Sequence, residues 1–325
     1  GEIPLCHTDR KIQVTGGNPS RTRGGDTPKM SAMNSASLRS SRRPEPCPDR
    51  HCDSAPDSPQ AGAEPGAAEP GAAEQPAVAL GIDVGGSAIK AGLVDTDTGQ
   101  VVDGSLTTRT PASTRPADIA AAVAETARAL DWRGELGVTL PAVVSGDIVG
   151  SAANIDPSWV GVNARELFTE AVPEAAAVTV LNDADAAGLA EVAFGDERAR
   201  SGAVIFLTLG TGIGSAMLVD GALFPNSELG HLLVDDSEAE HLAAARWKNE
   251  KGWSYEQWVH QLNRVLAEYA KLFSPDLFIL GGGISADFAE WEGYLDVNVP
   301  VAAARLRNQA GIVGAALAAT DTAHS

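Results

Sequence analysis

Residues 79–95 read Ala-Leu-Gly-Ile-Asp-Val-Gly-Gly-Ser-Ala-Ile-Lys-Ala-Gly-Leu-Val-Asp: an apolar run ending in a carboxylate, a glycine turn, and a second apolar run. Two strand-like runs joined by so short a turn read as a hairpin, with the turn at its tip. Backbone N–H groups approach a phosphate closely only where side chains are absent, so Gly85 and Gly86, which open the turn, suit phosphate handling, and Asp83 could face a hydrated metal ion. The idea recurs later. Val204–Leu209 runs into Gly210, Thr211, Gly212, Ile213 and Gly214, and another apolar run follows. Two such turns could clamp one chain of phosphates, although each taken singly is equally the turn of a plain hairpin.

Neither turn is a P-loop, because no G-x-x-x-x-G-K-[ST] occurs, and neither is a dinucleotide fingerprint, because strand-like sequence follows instead of a helix. Between them, Val178–Leu181 reads as a buried strand that ends on Asn182-Asp183-Ala184-Asp185 and enters a helix stopping near Gly195. Either Asp183 or Asp185 can cap that helix, and the other carboxylate is then well placed for chemistry. Glu228-Leu229-Gly230-His231 reads either as a solvated loop with a lone histidine or as part of the same site.

The first quarter of the 325 residues, up to about Gln75, is rich in Pro, Gly, Ser, Arg and Ala, and 63–74 is repetitive; disorder is the expectation there. All three cysteines (Cys6, Cys47, Cys52) lie in that tail with His7 and His51, and they do not read as a metal site. No apolar stretch is long enough to span a membrane, and a cytoplasmic protein is expected. Nearly all of the net charge of −19 falls after residue 77, which opposes nucleic acid or anionic membrane as a partner. Local cations that could meet a polyanion are Lys90, Arg246, Lys248, Lys251, Arg305 and Arg307.

Strand-like runs at 78–84, 89–94, 137–140, 178–181, 204–209, 215–219 and 277–280 alternate with helical stretches, which implies mixed sheets covered by helices. One helix is especially legible. Ser254 with Gln257 reads as a capping box, and Trp258, Leu262, Val265, Tyr269 and Leu272 follow as one apolar stripe, with the aromatics assigned to the core.

In order along the chain, Asp83-Val84-Gly85-Gly86, Asn182-Asp183-Ala184, Leu209-Gly210-Thr211-Gly212-Ile213-Gly214, Glu228-Leu229-Gly230-His231 and Gly281-Gly282-Gly283 resemble the motifs of the ROK sugar kinases. Ala152-Ala153-Asn154, Ser158-Trp159, Ser274-Pro275-Asp276-Leu277 and the run from Leu306 to Leu317 resemble the polyphosphate-using branch of that family. The resemblance covers about Val78 to Ala319.

It implies a two-lobed α/β actin-like and hexokinase-like (ribonuclease H-like) ATPase fold. The expected parts are a tail over 1–77, a small lobe over 78–186 completed by a helix over 308–320, and a larger lobe over 187–307. It implies transfer of a phosphoryl group from polyphosphate or ATP to the 6-hydroxyl of glucose or mannose, in a monomer or homodimer. Asp183 is then the general base, and Asn154, Asn182, Glu228 and His231 hold the sugar. Asp83 holds Mg²⁺ through water, while Gly85, Gly86, Ser87, Lys90, Gly210, Thr211, Gly212 and Gly214 meet the donor phosphates, and Gly281, Gly282 and Gly283 match an adenosine motif. Many members carry a zinc site with a Cys-x-Cys-Gly run, which this chain lacks, so no structural zinc is expected. The family's Gly-x-Pro-Gly loop is here Leu140-Pro141-Ala142. An ATP-only hexokinase is the nearest alternative. A sugar-sensing repressor, the alternative of another class, needs a helix-turn-helix ahead of the core, and residues 1–77 lack that periodicity.

Overall fold

The two glycine turns are the tips of two hairpins, and each hairpin founds a five-stranded sheet. The computed structural model describes residues 77–153 and 155–323; the expectations for the tail and for Asn154 lie outside the described residues. The first half carries β1 (Val78–Val84), β2 (Ala88–Asp95), β3 (Gln100–Arg109), α1 (Pro116–Ala129) and β4 (Glu135–Leu140). A small hairpin of β5 (Val144–Ser145) and β6 (Ile148–Val149) follows, then α2 (Ala164–Ala171), β7 (Ala177–Asn182) and α3 (Asp183–Phe194). The second half carries β8 (Ala203–Leu209), β9 (Ile213–Val219), β10 (Ala222–Phe224), the hairpin of β11 (Leu233–Val234) and β12 (Ser237–Glu238), α4 (Ala239–Ala243) and α5 (Arg246–Glu250). It ends with α6 (Tyr255–Phe273), β13 (Leu277–Gly281), α7 (Phe288–Trp291), β14 (Val301–Ala303) and α8 (Ala310–Ala323).

The strand orders are β3-β2-β1-β4-β7 and β10-β9-β8-β13-β14. In each sheet the first three strands pair antiparallel, as tight turns allow, and the last two add in parallel, each reached through a helical crossover. Mixed α/β sheets covered by helices are thus the architecture, as the alternating runs led one to expect.

The helices that follow the two fifth strands change sides. α3 leaves β7 and packs on β9, whereas α8 leaves β14 and packs across β1, β4 and β7, and the two helices lie against each other. Bare glycines allow that approach: a Cβ at Gly137 would stand 1.9 Å from the Ala315 carbonyl oxygen, and one at Gly314 1.8 Å from that of Ala186. The interior divides accordingly. One cluster under α1 and α2 contains Leu80, Ile119, Trp159 and Phe168. A second, around α6, contains Trp258, Tyr269 and Trp291, and Trp258 and Trp291 meet edge to face at 5.2 Å. A third, between α3 and α8, joins the sheets through Ala187, Phe206, Val313 and Ala316.

α6 begins on the expected capping box of Ser254 and Gln257, and Trp258, Leu262, Val265 and Tyr269 are buried. Leu272 does not follow them: it is 51% exposed. Val259 and Leu266 are buried instead, which rotates the centre of the apolar arc and leaves Leu272 on its edge in the last turn, just before Ser274 ends the helix with φ 47°. Three sheet strands had no legible signal. β3 lacks an apolar run, and its register shifts at Gly92/Leu93; β10 and β14 are three residues each. Among the described residues no helix is long and apolar enough to cross a membrane.

Candidate active site

The β1–β2 turn, the end of β4, the β7–α3 junction, the β8–β9 turn and the segment after β10 converge on a cavity of about 460 Å³. Gly86, Ser87, Asn182, Asp183, Gly210, Thr211, Gly212, Gly214, Glu228, His231 and Gly282 line it. Residues some 200 positions apart in sequence therefore line one cavity. Asp83, Gly85, Lys90, Gly281 and Gly283 stand outside the lining.

The junction of β7 and α3 is built by Asn182. Its Oδ1 accepts from the backbone N–H of Ala184 at 2.8 Å and of Asp185 at 3.1 Å, and its Nδ2 donates to the Ala142 carbonyl at 3.1 Å. Asn182 is therefore the helix cap, not Asp183 or Asp185. Its carbonyl oxygen is occupied, and at most one amide N–H remains to meet a ligand. The same cap releases Asp183, the first helical residue, to face the cavity. Burial, then the charge of Asp83, and to a smaller extent that of Glu228, push the Asp183 carboxyl up to about 7, although it also accepts the Ala184 N–H. A carboxylate held near neutrality is matched to taking a proton from a hydroxyl.

Two residues further on, Asp185 is only 2% exposed. Its Oδ2 accepts from the Asn226 N–H at 2.7 Å, while its Oδ1 has no partner, and burial raises its pKa to about 6. Asn226, at φ 58°, uses both ends of its amide on the backbone of Val144, each at 2.9 Å. This fastens the segment ahead of Glu228 to the β5–β6 hairpin. The Ser215 hydroxyl donates to the Ser227 carbonyl at 2.7 Å and accepts the Leu229 N–H at 3.0 Å, so Glu228 is held from both sides. None of these bracing contacts has a local sequence signature.

Asp83, the last residue but one of β1, stands beside Lys90 on β2 and Thr139 on β4. Its Oδ1 accepts from the Thr139 hydroxyl at 2.9 Å, and its Oδ2 lies 4.0 Å from Lys90 Nζ. The bare face of Gly311, at the start of α8, closes over the carboxyl group: a Cβ there would stand 2.7 Å from Asp83 Cγ. In the adjoining turn the Gly85 N–H is spent on the Ala88 carbonyl at 3.0 Å, and the Gly85 carbonyl accepts from Thr110 at 2.6 Å. Gly85 thus shapes the turn, and its N–H is not free for phosphate, contrary to the expectation; Gly86 and Ser87 are the residues that reach the cavity. In the second turn Gly210 likewise donates to the Gly212 carbonyl at 3.0 Å. Of the three glycines at the end of β13 and just beyond it, only Gly282 reaches the cavity, and its φ of 84° carries the chain over the Leu209 backbone. Gly281 instead packs on Phe206 and Ala304 inside the strand.

Glu240 also lines the cavity, and the sequence reading missed it because Glu238-Ala239-Glu240-His241 looks like a solvated charged run. Its Oε2 accepts from the Ile213 N–H at 3.4 Å, and Gly212 leaves room for it. His231 binds Glu238 through Nδ1 at 3.1 Å; that hydrogen bond, with Glu240 and Glu228 nearby, raises its pKa. His231, Glu238 and Glu240 each place one ligand atom within 4.8 Å of the others, an oxygen-rich set with a single imidazole.

Comparison with known proteins places the chain in a family. The chain is 48% identical over 246 residues to the polyphosphate glucokinase of Mycobacterium tuberculosis, which covers 75% of this chain and 92% of that one. The inorganic polyphosphate/ATP-glucomannokinase of Arthrobacter sp. strain KM superposes with a TM-score of 0.72 at 41% identity, over 76% of this chain and 99% of that one. A ROK family glucokinase from Streptomyces griseus, solved with glucose and AMPPNP, shares the fold at a TM-score of 0.64 and 24% identity, over 75% and 99%. The ROK family pattern itself matches residues 79–246, from the first glycine hairpin through the acidic helix start and the second hairpin to the head of α5; the fold is actin-like, and the chain belongs to the ROK family.

Proposed function

We propose that the chain is a sugar kinase that moves a phosphoryl group from polyphosphate or ATP to the 6-hydroxyl of glucose. The observation that carries this reading is Asp183, held at about pH 7 on the wall of a cavity that two glycine turns also line. A hydroxyl hydrogen-bonded to Asp183 passes its proton to the carboxylate as its oxygen bonds to phosphorus, and the departing phosphate of the donor takes the electron pair. Glu228, Glu240 and His231 are placed to bind the other hydroxyls, and partners that a bound sugar covers penalise sugars that lack one. For Asn182 the role is chiefly positioning, since its cap aims Asp183 and its amide braces Ala142. The N–H groups of Gly86, Ser87, Thr211 and Gly212 are assigned to the donor.

The donor set fits Mg²⁺. Among the described residues, Asp83 offers one carboxylate oxygen with no hydrogen-bond donor closer than Lys90, and Mg²⁺ prefers one or two carboxylates plus water and phosphate. When bound it neutralises donor charge; positioning by the chain's own residues supplies the rest. The first sheet with α8 forms one lobe in this reading and the second sheet with α3 the other, the protein working in the cytoplasm. The test is a steady-state assay of glucose and mannose against ATP and long-chain polyphosphate. Glucose 6-phosphate formed with polyphosphate is the expected result. Turnover with ATP alone leaves an ATP-dependent hexokinase, and no turnover with any pair overturns the reading.

A further inference from the structure

We infer that α5 and the residues just after it form a docking track for the part of a polyphosphate chain that extends beyond the transferred group. The inference rests on the reading that polyphosphate is a donor. A chain with 43 acidic and 24 basic side chains repels a polyanion unless cations gather locally. Residues 246–251, Arg-Trp-Lys-Asn-Glu-Lys, place three cations against one carboxylate.

Those cations are uncommitted. Among the described residues none of the three forms an ion pair, whereas Arg115, Arg165, Arg198 and Arg264 are each paired with an aspartate. Aromatic rings support them instead: Arg246 lies 4.5 Å from the Trp247 ring centroid and Lys248 4.1 Å from that of Tyr255. Lys251 lies 4.7 Å from Trp247 and 4.4 Å from Trp253. A cation on a ring face is held in place with its charge intact and its other side open to an anion. Carboxylate pairing would cancel that charge.

The platform is tied to the cavity. The Arg246 N–H donates to the Gly210 carbonyl at 3.1 Å, so α5 starts from the second glycine turn. Arg246 Nε is buried without a hydrogen-bond partner, a donor with an unmet demand for an acceptor. The other candidate track is weaker. Arg305 lies 3.8 Å from Asp196 and donates to the Gly195 carbonyl, and among the described residues no aromatic ring supports Arg307 as rings support Arg246, Lys248 and Lys251.

The test replaces Lys248 and Lys251 by Gln together and measures KM for long-chain polyphosphate and for ATP, alongside calorimetric binding of polyphosphate without sugar. The ratio of the two KM values should rise about tenfold, kcat with polyphosphate should hold, and binding should weaken and lose much of its salt dependence. The Lys248→Arg, Lys251→Arg pair should restore the ratio, which a folding defect would not permit. If the parent protein uses polyphosphate and the Gln pair leaves ratio and binding unchanged, the track is wrong and the proposed function stands. Should the parent bind polyphosphate without transferring from it, the donor reading fails, and the binding comparison still decides the track. No binding by the parent protein overturns both.

Discussion

The two sheets share one topology and one style of hairpin, yet their strand ends carry different chemistry. By position in the strand, Asp83 of β1 corresponds to Thr208 of β8, each the last residue but one. The parallel neighbour of Asp83 is Thr139, whereas that of Thr208 is Gly281. β7 delivers Asn182, Asp183 and Asp185 into α3, while β14 leads through Arg305 and Arg307 to the uncharged start of α8. At its strand ends, an architecture used twice thus places carboxylates on the first sheet and backbone and hydroxyl groups on the second, whose half brings Glu228 and Glu240 to the cavity from segments beyond its strands. In the proposed reading an acidic wall at Asp183, suited to accepting a proton from a hydroxyl, stands against glycine turns suited to phosphate oxygens.

The largest expected effect tests that asymmetry. Asp183→Asn should lower kcat by about 10²–10⁴-fold, the usual loss when a general base is removed. Thr208→Val, at the position on the second sheet that mirrors Asp83, should cost less than about tenfold, because a hydroxyl that adds one hydrogen bond contributes about 1 kcal/mol. Steady-state rates of the two variants, with their thermal unfolding as a control, check this. Equal losses would mean that chemistry is shared between the sheets and would break the comparison.

A smaller effect probes the exchange of helices. Gly137→Ala drives a Cβ into the Ala315 backbone, where neither strand nor helix can yield, and should destabilise by about 3 kcal/mol or more. Gly188→Ala, on α3 against the second sheet, meets the Ala216 Cβ at 2.7 Å, and alanine regains about 1 kcal/mol of helix propensity, so a net cost of about 1–2 kcal/mol is expected. Denaturant unfolding of both variants measures the difference. A Gly137→Ala protein as stable as its parent would show that α8 can ride further from β4.

Much of the fold was legible because hairpins and capped helices are written locally: both glycine turns, the start of α6 and the strand entering Asp183 stand where the residues put them. The exchange of α3 and α8 was not written in the residues themselves; that a helix over 308–320 goes with the first lobe came only as what the family resemblance implied. The start of α8, Ala310-Gly311-Ile312-Val313-Gly314-Ala315-Ala316, is small and apolar on every face, and the buried run of α3 from Ala186 to Ala190 is much the same, because each helix is covered by a sheet on one side and its counterpart on the other. Such a helix has no stripe to reveal its partner. The site divides in the same way. Asp183, Glu228 and His231 sit in motifs, whereas Glu240 and the Asp185–Asn226–Val144 brace depend on contacts between residues up to 82 apart.

The smallest expected effect is on stability, and its sign separates a functional carboxylate from a structural one. A structural aspartate has a lowered pKa, and its contribution fades as pH falls; Asp196, held at about 2 by its hydrogen bonds to Arg198, is of that kind. Asp183 is the reverse. Its folded pKa of about 7 lies above the roughly 3.9 of an unfolded aspartate, so the native state holds a proton that the unfolded chain releases. The stability this confers is complete below about pH 4 and is lost as pH rises through about 7. Asp183→Asn has no such proton to lose, so between pH 5.5 and 8.5, in chelator and without sugar, the variant should gain on its parent. After discounting for the partial exposure of the group, the gain is about 1–2 kcal/mol. Thr208→Val should show no pH-dependent difference over the same range. Thermal unfolding of all three proteins at four pH values reads the result, and an Asn variant whose advantage does not grow with pH would mean that Asp183 is ionised throughout, leaving the acidic wall without a group tuned to accept a proton near neutrality.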